Sequence, residues 1–172
     1  ELNAAVEGAI AAVFEKLREI VMLEIEEPDF GTASRKLVVA ARQAMEGEEI
    51  PDHTCKDPQE WDLQIQELAD AVGGVVGCSK PLVDAGWLEK EHLVGFSGHT
   101  VKPKLYFAIG VSGSSQHLIG MRAADTIVAI NNDPTAPILE VSDYSILGDL
   151  YDIVPRLTAQ LRRMRSKFSA SD

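Results

Sequence analysis

Apolar residues recur every three or four positions through the first part of the chain, a spacing typical of an amphipathic helix. This helix is predicted from its apolar positions, which are Leu2, Val6, Ile10, Val13, Phe14, Leu17 and Val21. Its first half is rich in alanine and glycine, so another helix could approach it closely. Two interpretations stay open: the apolar face covers the chain's own sheet, or it docks on another protein.

Short apolar runs and helical patterns alternate through the rest of the chain. The runs predicted as strands are "VMLEI", "KLVVAAR", "VVGCSK", "KLYFAIGV", "TIVAINN" and "ILEV". Helices are predicted before the Gly73-Gly74 stop, from near Ser114, and from near Asp149 with Pro155 in its early part. The acidic stretch "EGEEIPDHTCKDPQEWD" is predicted to be a solvated loop.

Repeated strand-helix-strand units predict an α/β fold, with a doubly wound, mostly parallel sheet and helices on both faces. We divide the chain into an N-terminal helical arm, residues 1–30, and an α/β domain, residues 31–172. The whole chain has 172 residues, 45% of them hydrophobic, which is enough to build one sizeable core.

Charge and composition exclude several classes of partner. The formal net charge of -11 would repel a phosphate backbone or an anionic membrane, so nucleic acid is not expected as a partner. No apolar run is long enough for a membrane span, and the first residues lack a signal-peptide pattern, so we expect a soluble chain. His53 and Cys55 are too few ligands for a structural metal site.

Polar residues and glycines gather where the predicted strands end. They are Arg42, the pair Ser79-Lys80, the stretch "SGSSQH" with its neighbouring glycines, the run "NND" and Asp143. In a parallel sheet, ligands bind beyond the carboxyl ends of the strands, where backbone N–H groups point outward. The pattern therefore indicates a site for an anion and a ring, of nucleotide size. It matches neither GxGxxG nor a P-loop, so composition alone leaves nucleotide binding open.

Longer sequence motifs favour a nucleotide-binding domain of one particular kind. The stretches "LADAVGGVVGCSKPLVDAGW", "LVGFSGHTVKPKLYFAIGVSGSSQHLIGM", "TIVAINNDPTAPI" and "VSDYSILGDLYDIVP" resemble, in unbroken order, the FAD-binding domain of the electron transfer flavoprotein alpha subunit. The resemblance covers about half of the chain. It implies a Rossmann-like domain that holds FAD in an extended form and passes electrons to partner dehydrogenases or oxidoreductases.

The resemblance also implies roles for single residues. Ser97 would contact flavin N5, and His117 would face the pyrimidine end of the ring near O2. Gln116 and Ser112 match positions near the ribityl chain and pyrophosphate, whereas Asn131 and Asp149 match adenosine-side contacts. Two alternatives stay open: His117 as a capping residue of a turn and Asp149 as the N-cap of the last helix. The full predicted set is Arg42, Ser79, Lys80, Val94, Gly95, Phe96, Ser97, Gly98, Ser112, Gly113, Gln116, His117, Asn131 and Asp149.

Three positions depart from the family pattern. Lys80 stands where the family has arginine, which replaces a planar cation with a compact one. Phe96 stands where glutamine is usual, and "AARQ" replaces a glycine-rich "GGRG", with Arg42 as the nearest pyrophosphate ligand. Upstream, the chain has little more than one helix where the alpha subunit has a whole domain. We therefore expect either a piece of a longer alpha subunit or a stand-alone relative.

Two functions remain after these comparisons of residues. The first is an FAD-binding electron carrier, and the alternative is an assembly subunit of a larger complex without redox turnover. An enzyme with its own substrate ranks third, because no nucleophile and base pair is discernible. The expected partner is a beta-like subunit or another redox protein, with a homo-oligomer through the N-terminal helix as a further expectation. The expected location is the cytoplasm or the mitochondrial matrix.

Overall fold

The fold is seen in a computed structural model, which describes residues 4, 6–13, 36–40 and 58–169. Its strands are β1 (Lys36–Ala40), β2 (Val75–Cys78), β3 (Leu105–Ile109), β4 (Ile127–Asn131) and β5 (Tyr144–Leu147). The helical residues 6–13 are called α1. The other helices are α2 (Pro58–Val72), α3 (Lys80–Asp84), α4 (Ser115–Met121), α5 (Ile138–Val141) and α6 (Leu150–Ser169), with a 3-10 turn at Lys90–His92.

The strands form one parallel sheet in the order β2-β1-β3-β4-β5. The chain runs from β1 outward to β2 and then returns to β3 on the other side of β1. In the register, Val38 of β1 lies between Val76 of β2 and Phe107 of β3. This reversal of strand order beside β1 is the topological switch point, and it confirms the predicted doubly wound α/β fold.

Helices cover both faces of the sheet, as predicted. On one face, Phe107 and Ile109 of β3 pack in a cluster with α2 and α6. On the other face, Tyr106 and Ala108 of the same strand pack with α4 and α5. All five residues of β3 are buried, because a central parallel strand presents alternate side chains to two apolar layers.

The prediction for "ILEV" is wrong, since these residues form helix α5 and the strand is the following "YSIL". Pro137 precedes the helix with an α-helical φ of -57°, a conformation that suits a helix start. The backbone of Asp143 then pairs with Ile127, which starts β5 beside β4. Within β5 only Ile146 is buried, so the strand carries a weak apolar signal.

The acidic stretch is also partly mispredicted, because α2 already begins at Pro58. Proline suits the first turn of a helix, where its missing N–H leaves no bond unmade. The rest of that stretch, the predicted strand "VMLEI", Arg42, His53 and Cys55 lie outside the described residues.

Part of the N-terminal helix packs on the chain's own body. Ile10 and Val13 are buried in the same cluster as Ile153 and other residues of α6. An exposed ion pair joins Glu7 to Arg156 of α6, with 3.0 Å between Oε1 and Nη1. The described part of the apolar face therefore covers this domain, which favours the first of the two interpretations. The predicted boundary at residue 30 lies outside the described residues.

Candidate functional site

The carboxyl edge of the sheet carries the loop that follows β3. This loop turns through Gly110 and Gly113, whose φ angles are 66° and 88°. A Cβ atom on Gly113 would meet the backbone nitrogen of Ile138, at the start of α5. Only glycine therefore fits where the loop crosses α5 and enters α4. The result is a backbone-lined edge beside the switch point.

A second segment, residues 94–99, lies across α4 at the same edge. The N–H of Phe96 donates to the carbonyl of Gln116 at 2.8 Å, and the N–H of Val94 donates to the carbonyl of Cys78 at 2.9 Å. Gly95 and Gly120 face each other, since a Cβ on Gly120 would come within 2.5 Å of Gly95 Cα. The stretches "VGFSG" and "SGSSQH", which are separated in the sequence, thus lie in contact, as a shared site requires.

Several predicted side chains at this edge face outward. Phe96 is 73% exposed. Ser97, Ser112 and Gln116 are exposed as well, on segment 94–99 and around the start of α4. Hydroxyl, amide and aromatic groups therefore stand at one surface above the buried sheet, where they could hold a ligand with both a ring and polar parts.

His117 differs from these neighbours because its ring is buried, with 5% exposure. Its Nε2 atom lies 2.8 Å from the hydroxyl oxygen of Tyr106, a fully buried residue of β3. Its Nδ1 atom has no hydrogen-bond partner among the described residues. Burial lowers the pKa of His117 to about 4, against an opposing effect of the Val94 backbone. The imidazole is thus neutral at pH 7.

Ser79 supplies a second buried polar atom without a partner at this edge. It precedes α3 but makes no capping bond with its side chain, and its Oγ atom has no partner in the described part of the chain. Two similar atoms, on Gln64 and Thr158, lie on α2 and α6 instead. Since buried polar groups are normally hydrogen-bonded, the orphan atoms of Ser79 and His117 fit a bound polar group at the carboxyl edge.

The ammonium group of Lys80 is already paired. Its Nζ atom lies 2.6 and 2.7 Å from the two carboxylate oxygens of Asp84, one turn later in α3. Both side chains are more than half exposed, so the pair contributes little to stability. The pairing reduces the positive charge that Lys80 offers to a ligand.

The adenosine-side candidates, Asn131 and Asp149, both bond within the protein. The Nδ2 atom of Asn131 donates to the Val111 carbonyl, and its Oδ1 accepts from the N–H of Asp133. Asp149 accepts a hydrogen bond from the N–H of Tyr151 at 2.8 Å, so it acts as the N-cap of α6, the alternative role predicted for it. Their contacts with a ligand stay predictions.

Sequence reasoning missed two residues of this site. Asp84 had a detectable signal, because its spacing of four from Lys80 puts both side chains on one face of a helix. Tyr106 had none, since it stands inside an apolar strand and reads as a core residue. Among the described residues, no group of three His, Cys, Asp or Glu side chains could hold a metal ion.

Acid should destabilise the protein partly through His117. Its pKa is lowered from 6.5 to about 4, so its contribution to stability is complete above pH 6.5 and is lost as the pH falls toward 4. This group should remove about 2 kcal/mol from the free energy of unfolding between pH 7.5 and 5. Urea unfolding at both values measures the loss. His117→Gln should lack this part of the pH dependence, and an equal pH dependence in both proteins would contradict the assignment.

Comparison with known proteins finds similarity to electron transfer flavoproteins. Residues 52–122 match the family model described as the electron transfer flavoprotein FAD-binding domain. An electron transfer flavoprotein subunit alpha from Thermoanaerobacterium thermosaccharolyticum is 52% identical over 101 residues, which are 59% of this chain and 31% of that protein. The subunit from Bradyrhizobium diazoefficiens is 39% identical over 163 residues, covering 94% of this chain and 49% of the relative.

A eukaryotic relative extends the comparison. The mitochondrial electron transfer flavoprotein subunit alpha of Dictyostelium discoideum is 37% identical over 160 residues, covering 93% of this chain and 41% of the relative. The chain thus spans half or less of the length of these curated relatives. None of the helices in the described ranges is long and apolar enough to cross a membrane.

Proposed function

This chain belongs to the electron transfer flavoprotein alpha family through its FAD-binding domain, and from that membership we propose that it binds FAD and carries electrons between redox proteins. One observation carries the proposal: segment 94–99 and α4 meet at the carboxyl edge of the sheet, beside the switch point. Nucleotides bind in doubly wound folds at this place. The orphan polar atoms of Ser79 and His117 support a bound group there.

FAD, when bound, supplies reversible electron transfer, and the chain's residues hold it and adjust its charge. Ser97 would offer its hydroxyl to flavin N5. His117 would offer a ring nitrogen to the pyrimidine end, where a donor stabilises the negative charge of a reduced ring. Gln116 and Ser112 would hold the ribityl chain and the pyrophosphate. Ser97 lies on segment 94–99 and Gln116 and His117 lie on α4, which it contacts, while Ser112 lies in the loop that leads into α4.

The remaining proposed contacts surround this centre. Lys80 would act as a weakened cation, because Asp84 already binds its ammonium group. The exposed ring of Phe96 would give an apolar or stacking contact in place of an amide. The backbone of the glycine-bearing segments would approach the ligand closely. The other members of the proposed set are Arg42, Ser79, Val94, Gly95, Gly98, Gly113, Asn131 and Asp149.

For partners, we propose a beta-like electron transfer flavoprotein subunit or another redox protein. The compartment proposed is the cytoplasm or the mitochondrial matrix, since the curated relatives include bacterial proteins and proteins named as mitochondrial. A homo-oligomer formed through the N-terminal helix stays a prediction. Ile10 and Val13 on that helix are occupied within the chain's own core.

We expect the protein to retain FAD, and not FMN, after incubation with an excess of each and removal of the free flavin. The proposed set includes adenosine-side residues, Asn131 and Asp149, which FMN cannot engage. Flavin absorbance of the desalted protein and mass identification of the released cofactor provide the measurement. Retention of FMN alone, or of no flavin, would contradict the proposal.

The alternative function is an assembly subunit that performs no redox turnover. One observation favours it: the cation expected beside the flavin, Lys80, is paired with Asp84. Reversible reduction separates the two functions. A carrier should be reduced by dithionite and reoxidised by an electron acceptor without losing its flavin, whereas an assembly subunit would release the flavin or fail to cycle.

A further inference from the structure

A buried hydrogen bond joins β3 to α4 beneath the proposed flavin site. The hydroxyl oxygen of Tyr106 lies 2.8 Å from Nε2 of His117, and the two rings meet edge to face at 64°. Tyr106 is 0% exposed and His117 is 5% exposed, so water does not compete for this bond. The direction of this hydrogen bond therefore determines whether the other ring nitrogen, Nδ1, carries a hydrogen.

A neutral imidazole carries one hydrogen, on either nitrogen, and the partner of one nitrogen selects the state of the other. In one arrangement Nε2–H donates to Tyr106. The phenol hydrogen is then left without an acceptor among the described residues, and Nδ1 is a bare acceptor without a donor. Two buried groups are unsatisfied in that case.

In the opposite arrangement the Tyr106 hydroxyl donates to Nε2, and the imidazole hydrogen lies on Nδ1. The phenol hydrogen is then satisfied, and only one buried donor, Nδ1–H, lacks a full partner. The backbone of Val94 acts as a weak acceptor toward this ring, since it raises the pKa of His117 against the larger lowering caused by burial. Because an unsatisfied buried donor is costly, the arrangement with the fewer such donors is preferred.

We infer that Tyr106 is a positioning residue, which donates its hydroxyl hydrogen to His117 Nε2 and so fixes the imidazole hydrogen on Nδ1. Burial raises the pKa of Tyr106 well above 10, so the phenol keeps its hydrogen throughout the working range of pH. The consequence for FAD rests on the proposed function, in which His117 faces the pyrimidine end of the ring. There Nδ1–H is a neutral donor, available to an oxygen or nitrogen that gains negative charge on reduction.

The first test is made on the protein without any change. Heteronuclear NMR of a sample with labelled histidines distinguishes a protonated ring nitrogen from a bare one. Comparison with His117→Gln assigns the signals of His117. We expect hydrogen on Nδ1 and none on Nε2, and the reverse would overturn the inference. This measurement needs no flavin, so its result is independent of whether the protein binds FAD.

The second test removes only the hydroxyl. Tyr106→Phe should leave Nε2 without a donor, so that part of the His117 population moves its hydrogen from Nδ1 to Nε2. If FAD binds, the preference for reduced over oxidised FAD, taken as the ratio of their dissociation constants, should fall about fivefold. An unchanged tautomer in the variant would overturn the inference.

The matched control removes another buried hydroxyl from the opposite face of the sheet. Thr158 of α6 is 3% exposed, and its Oγ1 atom has no partner among the described residues. Thr158→Val should leave the His117 tautomer and the FAD ratio unchanged. Equal effects in Tyr106→Phe and Thr158→Val would show a general loss of packing and would overturn the positioning role.

Discussion

Replacing Gly120 by alanine is expected to destabilise the protein by about 3 kcal/mol, the upper part of the range for overpacking. The new Cβ atom would come within 2.5 Å of Gly95 Cα and within 3.0 Å of the His99 carbonyl oxygen. Both are backbone atoms, so no rotation of a side chain relieves the contact. Segment 94–99 would have to move away from α4. Urea unfolding measures the loss, and FAD titration should show weaker binding.

The control for this prediction is Gly8→Ala. Gly8 is also a helical glycine, but a Cβ atom there would meet nothing within 4 Å. Alanine is the better helix former by about 1 kcal/mol, so this variant should be slightly more stable than the parent. If both variants gained stability, the close contact between α4 and segment 94–99 would not exist in solution.

Ile10→Ala is expected to lower the free energy of unfolding by about 2–5 kcal/mol, the range for deleting a large aliphatic side chain from a core. Ile10 is 0% exposed and belongs to the cluster that contains α2 and α6. The measurement is again urea unfolding. Because the proposed FAD ligands lie elsewhere in the chain, the variant should still bind FAD at low urea concentrations.

An exposed apolar residue provides the comparison for Ile10. Leu63 of α2 is 60% exposed, so Leu63→Ala should change stability by less than about 1 kcal/mol. A helix that docks on another protein would give a different result. Ile10→Ala would then leave the stability of this chain unchanged and weaken its association with a partner, as size-exclusion chromatography would show.

Strands β1 to β4 could be predicted because each of these four is a short, mainly apolar run that ends in polar residues or glycine. In β3, around Phe107, both faces of the strand are covered. Every residue of the strand is therefore buried and apolar, which makes the strand easy to detect in the sequence. The prediction of β5 failed for the opposite reason. Only Ile146 is buried there, and the more apolar "ILEV" next to it folds as a short helix after Pro137.

The site could be predicted only where its residues belong to recognisable motifs. The contact between Gly95 and Gly120 was not predictable, because it joins two segments that are separated by β3 in the sequence. The pairing of Tyr106 with His117 depends on the direction of two side chains in the folded chain. Such directions follow from strand register and helix placement, which a pattern of residue types does not specify.

The position of β1 between β2 and β3 in the sheet has a consequence for the order of folding. β3 and β4 pair through residues close in the sequence, such as Phe107 and Val128, whereas Phe107 pairs with Val38 across a much longer stretch of chain. Closing the longer loop costs more chain entropy, so we expect β3 and β4 to associate first and β1 to join later. The crevice beside β1 is then among the last parts of the molecule to form. A nucleotide held there would act on the final stage of folding, slowing the escape of β1 more than it speeds the first encounter of the strands.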